Sequence, residues 1–185
     1  MQVFENKLKI LMSRVKNGQM TEEEYRYISS FLGNKNFLVF GTGYDSDFWR
    51  FVNNKGKTVF LEHDIKWIPE NKDDVFLINY TSNIKNFKIL LREYENKNFL
   101  NLEIKIPNFI IEINWDFILV DGPPGNKKNS IGRSQSIYMA KKLSSKNTQI
   151  FIHDCNRELE DLYSIKLFKV INQLTKLRHC INEKI

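Results

Sequence analysis

Residues 37–46 read Phe-Leu-Val-Phe-Gly-Thr-Gly-Tyr-Asp-Ser, and this stretch decides the fold class. Four apolar residues lead directly into Gly-x-Gly, which is typical of a buried strand that ends in a tight turn. Glycine is favoured at such a turn because a side chain would block the close approach of a ligand. A second apolar run, residues 58–61, ends in Glu62, whose carboxylate is placed to accept hydrogen bonds from a ribose. The two features predict a doubly wound sheet whose first half binds a nucleoside.

The spacing of the glycines indicates which nucleoside is bound. A dinucleotide fingerprint has a third glycine at the position where this sequence has Ser46. S-adenosylmethionine (SAM) has no pyrophosphate for the helix N-terminus to bind, so the missing glycine favours SAM over NAD. We therefore predict a SAM site that includes Gly41, Gly43 and Glu62, with Asp45 or Ser46 at the start of the next helix. A structural turn beside a solvated glutamate is the alternative.

Length and composition limit the class of protein. The 185 residues carry a net charge of +6 and contain no apolar run as long as a membrane span. We predict one domain over residues 1–185, with residues 1–33 as a helical cover and residues 34–185 as the core. The first residues lack the apolar stretch of a signal peptide, so we expect a cytoplasmic protein without a membrane partner. In that compartment Cys155 and Cys180 are expected to be free thiols.

Predicted strands and helices alternate along the chain, which favours a parallel sheet with helices on both faces. The N-terminal helices are expected over residues 3–16 and after Thr21, which forms a capping-box pattern with Glu24. The predicted strands are residues 36–41, 57–62, 74–80, 115–121 and 149–154, and residues 100–106 are expected to be extended. The later predicted helices are residues 45–53, 83–94, 131–143 and 158–163. A closing antiparallel hairpin, residues 166–171 and 177–181, indicates the class I SAM-dependent methyltransferase variant of this Rossmann-like α/β fold.

Chemically active side chains follow the predicted fourth and fifth strands. Asp121 follows the apolar residues 117–120 and enters the rigid sequence Gly-Pro-Pro-Gly, whereas His153 and Asp154 follow residues 149–152. Because the carboxyl ends of parallel strands meet at one edge of a sheet, we expect these groups to line the ligand site. A helix-capping aspartate and a structural histidine are the alternatives.

Several segments together resemble the glucuronoxylan 4-O-methyltransferase family, also known as the polysaccharide biosynthesis family of irregular-xylem proteins. The resemblance covers residues 33–181 in order. Its most specific part is Val-Asp-Gly-Pro-Pro-Gly at residues 120–125, followed by Gly-Arg at 132–133 and His-Asp-x-Asn-Arg at 153–157. The other segments are residues 37–46, 58–64, 115–119, 137–138 and 177–179, together with Glu160. The resemblance implies SAM-dependent methylation of a sugar hydroxyl, most typically on a uronic acid.

Methyl transfer to a sugar hydroxyl assigns roles to the residues at the strand ends. A sugar hydroxyl is a poor nucleophile, so a general base is expected to assist the reaction. The candidate catalytic residues are Asp121, His153 and Asp154, with His153 or Asp121 as the base and the other orienting the acceptor. In an alternative arrangement, Asp121 and Asp154 hold a divalent ion, and oxygen ligands of this kind suit Mg²⁺ or Mn²⁺.

Further residues are candidates for binding the donor or the acceptor. His63 or Asp64 is expected beside the adenine, and Thr81 either contacts the adenine or closes the third strand. Asp121 is also included in the predicted donor site. Arg157 could orient an anionic acceptor through its planar guanidinium, or it could be a solvated residue at a helix start. The candidate acceptor-binding residues are Tyr138, Arg133, Asn156 and Arg157.

Three other functions fit part of the sequence. The basic charge suggests an RNA methyltransferase, but no run of lysine or arginine interleaves with aromatic residues in a nucleic-acid platform. A nicotinamide-dependent oxidoreductase would require the third glycine. A non-catalytic nucleoside-binding module would not need an acidic and imidazole cluster at the strand ends. The family resemblance implies an acidic carbohydrate acceptor, and we expect no nucleic acid partner.

Overall fold

A mixed sheet organises the chain in the computed structural model, which describes residues 1–16, 19–71 and 73–183. The strands are β1 (Asn36–Phe40), β2 (Lys57–Glu62), β3 (Val75–Leu77), β4 (Phe117–Val120), β5 (Gln149–Ile152), β6 (Lys169–Leu174) and β7 (Leu177–Ile181). Their order in the sheet is β3-β2-β1-β4-β5-β7-β6. Strand β7 is antiparallel to β5 and to β6, and all other neighbouring strands are parallel. The sheet thus has the predicted parallel core with a closing antiparallel hairpin.

Helices cover both faces of this sheet, as expected for strands that connect in parallel. One face carries α1 (Gln2–Met12), α2 (Glu22–Ser29) and α3 (Ser46–Val52). The other face carries α4 (Phe87–Glu95), α5 (Asn108–Glu112), α6 (Ser134–Leu143) and α7 (Glu158–Leu167). There are two short 3-10 turns: Ile65–Trp67 directly follows β2, and Ile84–Asn86 directly precedes α4.

The side chains of β1 show why two separate cores form. Successive residues of a strand point to opposite faces, so Phe37 and Val39 pack with the N-terminal helices while Leu38 and Phe40 pack with the later helices. All four side chains are buried. Burying an apolar side chain of this size stabilises the fold by ~1.5–3 kcal/mol. Continuous burial on both faces explains why the strand reads as an unbroken apolar run.

The register of the strands aligns the ends that carry the polar residues. Phe40 lies beside Leu61 of β2 and beside Val120 of β4, and Val120 in turn lies beside Ile152 of β5. The next residue along each strand therefore falls into one row across the sheet edge. That row consists of Gly41, Glu62, Asp121 and His153.

Several predicted boundaries differ from the structure. Residues 100–106 form no strand, although Leu102, Ile104 and Ile106 are buried in alternation. This segment was expected to be extended; it packs on the core through these side chains and is not one of the strands of the sheet. The first hairpin strand was predicted from residue 166, but α7 extends to Leu167, and β6 runs from Lys169 to Leu174.

Other expectations from the sequence are confirmed. Thr21 caps α2, and the reciprocal hydrogen bond from the Thr21 backbone N–H to the Glu24 side chain completes the capping box. Cys155 and Cys180 are free and buried. In the part of the chain that the structure describes, no helix is long and apolar enough to cross a membrane.

Candidate active site

A cavity of about 390 Å³ opens at the row of strand ends. It lies at the carboxyl edge of the parallel strands, where ligands bind in open α/β sheets. Side chains and backbone from the N-terminal segment, including Tyr25, border it on one side. Ten of the predicted site residues line the cavity: Gly41, Gly43, Asp45, Glu62, His63, Asp121, Arg133, His153, Asp154 and Arg157.

The glycine turn after β1 is required by backbone packing as well as by ligand approach. Gly41 has φ +106°, in the left-handed region that favours glycine. A Cβ atom at Gly41 would lie 3.1 Å from Cα of Gly122, and one at Gly122 would lie 2.8 Å from Cα of Gly41. The turns after β1 and β4 therefore touch through their backbones. This contact holds Asp121 close to the glycine turn.

Glu62, at the end of β2, is buried and bound mainly by the backbone of two loops. Its Oε2 accepts hydrogen bonds from the Thr42 N–H and the Thr42 hydroxyl, both at 2.8 Å. Its Oε1 accepts from the N–H groups of His63 at 2.6 Å and Asp64 at 2.8 Å. The His63 Nδ1 atom lies 2.7 Å from the same oxygen. Glu62 thereby fixes the shape of both loops beside the cavity, and its contact with a ribose stays a prediction.

Asp45 stands just after the glycine turn and faces the cavity. Its Oδ2 accepts hydrogen bonds from the indole Nε1–H of Trp49 at 3.0 Å and from the hydroxyl of Tyr25 at 3.3 Å. Removal from bulk water and the nearby charge of Asp121 raise the pKa of Asp45 to about 6. Asp45 is the N-cap residue of α3, so the predicted helix start is confirmed, although its side chain makes no capping hydrogen bond.

The ends of β4 and β5 carry a cluster of charged groups around Arg133. The Nη2 atom of Arg133 lies 3.1 Å from Asp121 Oδ1 and 2.9 Å from Asp154 Oδ2. Its Nη1–H donates to the backbone carbonyl of His153 at 2.8 Å. Arg157 Nη1 lies 2.9 Å from the same Asp154 oxygen. Arg133 is buried and uses most of its N–H groups inside the protein, so the predicted contact of this residue with the acceptor is not supported by its position.

His153 is paired with Asp121, and the pairing shifts both pKa values. The Nδ1 atom of His153 lies 3.1 Å from Asp121 Oδ1. Burial alone lowers the pKa of His153, but the charges of Asp121 and Asp154 outweigh it and raise that pKa above its usual value. Burial alone raises the pKa of Asp121, but His153 and Arg133 outweigh it and hold that pKa below its usual value. The pairing thus shifts both residues toward their charged forms.

Glu24 is a buried neighbour of His153 that the sequence analysis did not include in the site. Its Oε2 lies 3.7 Å from the His153 Nε2 atom, which has no hydrogen-bond partner among the described residues. Its Oε1 accepts hydrogen bonds from the Lys176 N–H at 2.9 Å and from the Thr175 hydroxyl. Glu24 therefore connects α2, the β6–β7 turn and the charged cluster. The capping-box pattern explained this residue locally and gave no sign of its distant contacts.

The remaining predicted residues do not line the cavity. Ser46 accepts a hydrogen bond from the Gly43 N–H at 3.0 Å, so it supports the turn from behind. Thr81 is exposed and is held by the amide of Gln135. Tyr138 is buried in an aromatic cluster with Tyr94 and Phe99, and Asn156 is exposed. Their predicted binding roles receive no support from these positions.

Comparison with known proteins places the chain in a family. A family model described as IRX15/IRX15L/GXM matches residues 24–179. The chain therefore belongs to the IRX15/IRX15L/GXM family. The family predicted from the motifs is confirmed, and the match includes the glycine turn, Glu62 and the charged cluster around Arg133.

Relatives within the IRX15/IRX15L/GXM family carry methyltransferase names. The chain is 34% identical to glucuronoxylan 4-O-methyltransferase 1 of Arabidopsis thaliana, and the match covers 88% of the chain and 67% of that relative. It is 32% identical to arabinogalactan O-methyltransferase 1 of the same plant, over 70% of the chain and 53% of that relative. The chain thus spans between about half and two thirds of the length of these curated relatives.

A solved structure confirms the fold class of this family member. The crystal structure of a proposed caffeoyl-CoA O-methyltransferase from Staphylococcus aureus aligns with a TM-score of 0.53, covering 99% of the chain and 100% of the other. The two sequences are 10% identical, so the likeness concerns the fold alone. Together with the strand order, it establishes the class I SAM-dependent methyltransferase fold predicted from the sequence.

Proposed function

We propose that this chain transfers the methyl group of SAM to a hydroxyl group of a glycan. One observation carries the proposal: the cavity brings Asp121 together with the Gly41–Gly43 turn and the buried Glu62 at the ends of β1 and β2. The glycine turn and Glu62 have the features of a nucleoside site, and Asp121 offers an ionised carboxylate to a hydroxyl. The family, the fold class and the names of the relatives support the same activity.

The residues of the cavity fit SAM as the donor. The turn at Gly41–Gly43 leaves backbone exposed to the cavity, and Asp45 and Glu62 add negative charge beside it. SAM carries two positive charges, on its ammonium and sulfonium groups, and one negative charge on its carboxylate. In this proposal the turn binds the methionine part, and the loops held by Glu62 and His63 surround the ribose and adenine. When bound, SAM supplies an electrophilic methyl group.

Asp121 is the best candidate for the general base. Asp121 and His153 both line the cavity, but the side chain of Asp121 is 30% exposed, whereas that of His153 is 2% exposed. An ionised Asp121 can accept the proton of a sugar hydroxyl at Oδ2, while His153 and Arg133 hold Oδ1 in place. A positioned base contributes about two to four orders of magnitude in rate. His153 in this arrangement orients Asp121 and balances its charge.

The acceptor is proposed to be a polysaccharide residue that carries a carboxylate. Arg157 lines the cavity and is partly exposed, so its guanidinium presents positive charge at the opening. A planar guanidinium can bind a carboxylate through two parallel hydrogen bonds. The relatives named for glucuronoxylan and arabinogalactan support a polysaccharide acceptor, and Arg157 supports an acidic one.

A divalent ion between the aspartates fits this arrangement poorly. One ligand atom each from Asp121, His153 and Asp154 lies within 4.8 Å of the others, which is close enough to hold an ion. The guanidinium of Arg133, however, already lies between the two carboxylates and contacts both. An ion at that position would have to displace it, so we assign the balancing charge to Arg133.

Mass spectrometry of treated glycans tests the proposal. Each reaction contains the protein, methyl-labelled SAM and one acceptor. The four acceptors are glucuronate-substituted xylo-oligosaccharides, arabinogalactan oligosaccharides, unsubstituted xylo-oligosaccharides and RNA. We expect label on a glycan hydroxyl, with the uronate-containing acceptors labelled fastest. Label on RNA and on none of the glycans would contradict the proposal.

A second experiment tests the assignment of the balancing charge to Arg133. The assay is repeated after chelation and again after addition of Mg²⁺ or Mn²⁺. A metal-dependent enzyme would lose activity on chelation and regain it when the ion is added.

A further inference from the structure

The carboxylates that line the cavity differ in their charge partners. Four acidic side chains line it, and three of them contact a cationic or ionisable group of the protein. The pairs are Asp121 with Arg133, Asp154 with Arg157 and Glu62 with His63. Among the described residues, no lysine, arginine or histidine pairs with Asp45. The cavity therefore contains one carboxylate whose charge the described protein leaves unbalanced.

Asp45 is nevertheless held in a defined orientation. Its Oδ2 accepts hydrogen bonds from Trp49 and Tyr25, which are both neutral donors. Trp49 and Tyr25 are buried, so these two contacts fix the carboxyl group from behind. The other oxygen, Oδ1, lies beside Gly43 and receives no hydrogen bond from any residue that the structure describes. A rigidly held carboxylate with one free oxygen suits a cationic hydrogen-bond donor.

We propose that Asp45 binds the α-ammonium group of the methionine part of the donor. This inference rests on the proposed function, since it takes SAM as the ligand of the cavity. An ammonium group has three N–H donors for the free Oδ1 atom, whereas a sulfonium has none. The position of Asp45 next to the Gly41–Gly43 turn is also the position proposed above for the methionine part.

The surroundings of Asp45 are consistent with a cationic ligand. The groups around it are the Tyr25 hydroxyl and the Trp49 indole, which donate hydrogen bonds to it, and the nearby carboxylate of Asp121. Burial and the nearby negative charge of Asp121 raise the pKa of Asp45, and a bound cation would offset the repulsion between the two carboxylates. The same contact would distinguish SAM from adenosine derivatives that lack the α-amino group of the methionine part.

Calorimetry with three ligands tests this contact. The ligands are SAM, S-adenosylhomocysteine, which lacks the sulfonium charge, and deamino-S-adenosylhomocysteine, which also lacks the ammonium group. Asp45→Asn should weaken binding of the first two by a similar factor of about 10–100, because a charge-assisted hydrogen bond is lost. Binding of the deamino ligand should change less than about twofold. The matched control is Asp47→Asn, since Asp47 is exposed on α3 and outside the cavity.

Each alternative outcome has a separate meaning. Unchanged binding of S-adenosylhomocysteine to Asp45→Asn would overturn the inference while leaving SAM as the donor. Weaker binding of SAM alone would assign Asp45 to the sulfonium, and equal weakening of all three ligands would show a structural role; both overturn the inference. A wild-type protein that binds neither SAM nor S-adenosylhomocysteine would refute the proposed function itself.

A measurement on the wild-type protein covers the case in which Asp45→Asn does not fold. Wild-type protein should bind S-adenosylhomocysteine at least about tenfold more tightly than the deamino ligand near pH 7. An affinity ratio near one would overturn the inference without any variant.

Discussion

The two sides of the cavity are held together by different forces. The β1–β2 side, made of residues 41–45 and Glu62, is fixed mainly by hydrogen bonds from backbone N–H groups and neutral side chains. The β4–β5 side, made of Asp121, His153 and Asp154, is fixed by ion pairs with two arginines. Each side contains one buried carboxylate, Glu62 on the first and Asp154 on the second, so burial of an acidic group does not distinguish them.

The difference suggests a division of labour between the two sides. Backbone hydrogen bonds define a shape and change little with the charge of a ligand, which suits binding of a common donor. Ion pairs hold a carboxylate in its charged form inside the protein, which suits proton transfer from a hydroxyl. We therefore expect changes on the β1–β2 side to alter donor affinity and changes on the β4–β5 side to alter the rate.

The largest expected effect is that of Asp121→Asn. The amide keeps the shape of the side chain but cannot take up a proton, so kcat should fall by about two to four orders of magnitude. The dissociation constant for S-adenosylhomocysteine should stay within about threefold of the wild-type value, because donor binding is assigned to the other side. Rapid-quench assays with labelled SAM measure the first quantity, and calorimetry measures the second. A normal kcat with a greatly weakened donor affinity would reverse the assignment of the two sides.

The β1–β2 side was the more predictable of the two from the sequence. Strands buried on both faces leave continuous apolar runs, so residues 37–40 and 58–61 could be recognised together with the glycine turn and Glu62 that follow them. Parallel pairing then places the ends of such strands at one edge, which predicted that Asp121 and His153 would join them. These features depend on local patterns and one topological rule.

The partners within the β4–β5 side could not be predicted in the same way. Arg133 was expected to bind the acceptor, but it binds Asp121, Asp154 and the backbone of their turns. Glu24 had a complete local explanation as a capping-box residue, yet it also approaches His153. Such contacts join residues far apart in the sequence, and no local pattern records them.

Residues 100–106 show that a local pattern can predict burial without predicting strand pairing. Their alternating apolar side chains are buried, as the pattern indicates. A strand also requires backbone hydrogen bonds to a neighbouring strand, and residues 100–106 are not among the seven strands of the sheet. Alternation therefore predicted the burial of this segment but not its hydrogen bonding.

A second buried histidine sharpens the comparison between charged and neutral surroundings. His179 on β7 stacks on Phe151 and has neutral hydrogen-bonding neighbours, the Tyr27 hydroxyl at 2.9 Å and the Gln149 side chain at 2.8 Å. Burial lowers the pKa of His179 to about 4, whereas that of His153 is raised. The unfolded chain takes up a proton at His179 near pH 6.5, and the folded chain resists it until about pH 4. Stability is therefore expected to fall as the pH is lowered through this window.

The expected loss from His179 is about 2 kcal/mol of unfolding free energy between about pH 7.5 and pH 5. Urea unfolding at the two pH values measures it in the wild-type protein and in His179→Phe, which keeps an aromatic ring against Phe151. The variant should show a smaller loss of stability by about that amount, whatever its stability at neutral pH. Identical pH dependence in both proteins would show that His179 titrates normally and that neutral surroundings do not explain its difference from His153.

The smallest expected effect is that of Glu62→Gln on donor affinity. Glutamine has one oxygen in place of two, so it can satisfy the loop at Thr42 or the loop at residues 63–64, but not both. We expect the affinity for S-adenosylhomocysteine to fall about tenfold, or about 1.4 kcal/mol, with kcat at saturating SAM within about threefold of wild type. Calorimetry and steady-state kinetics measure the two quantities, with Glu70→Gln as the control because Glu70 is exposed. A loss of kcat without a loss of affinity would mean that backbone hydrogen bonds on the β1–β2 side control the reaction, and the division of labour between the two sides would no longer hold.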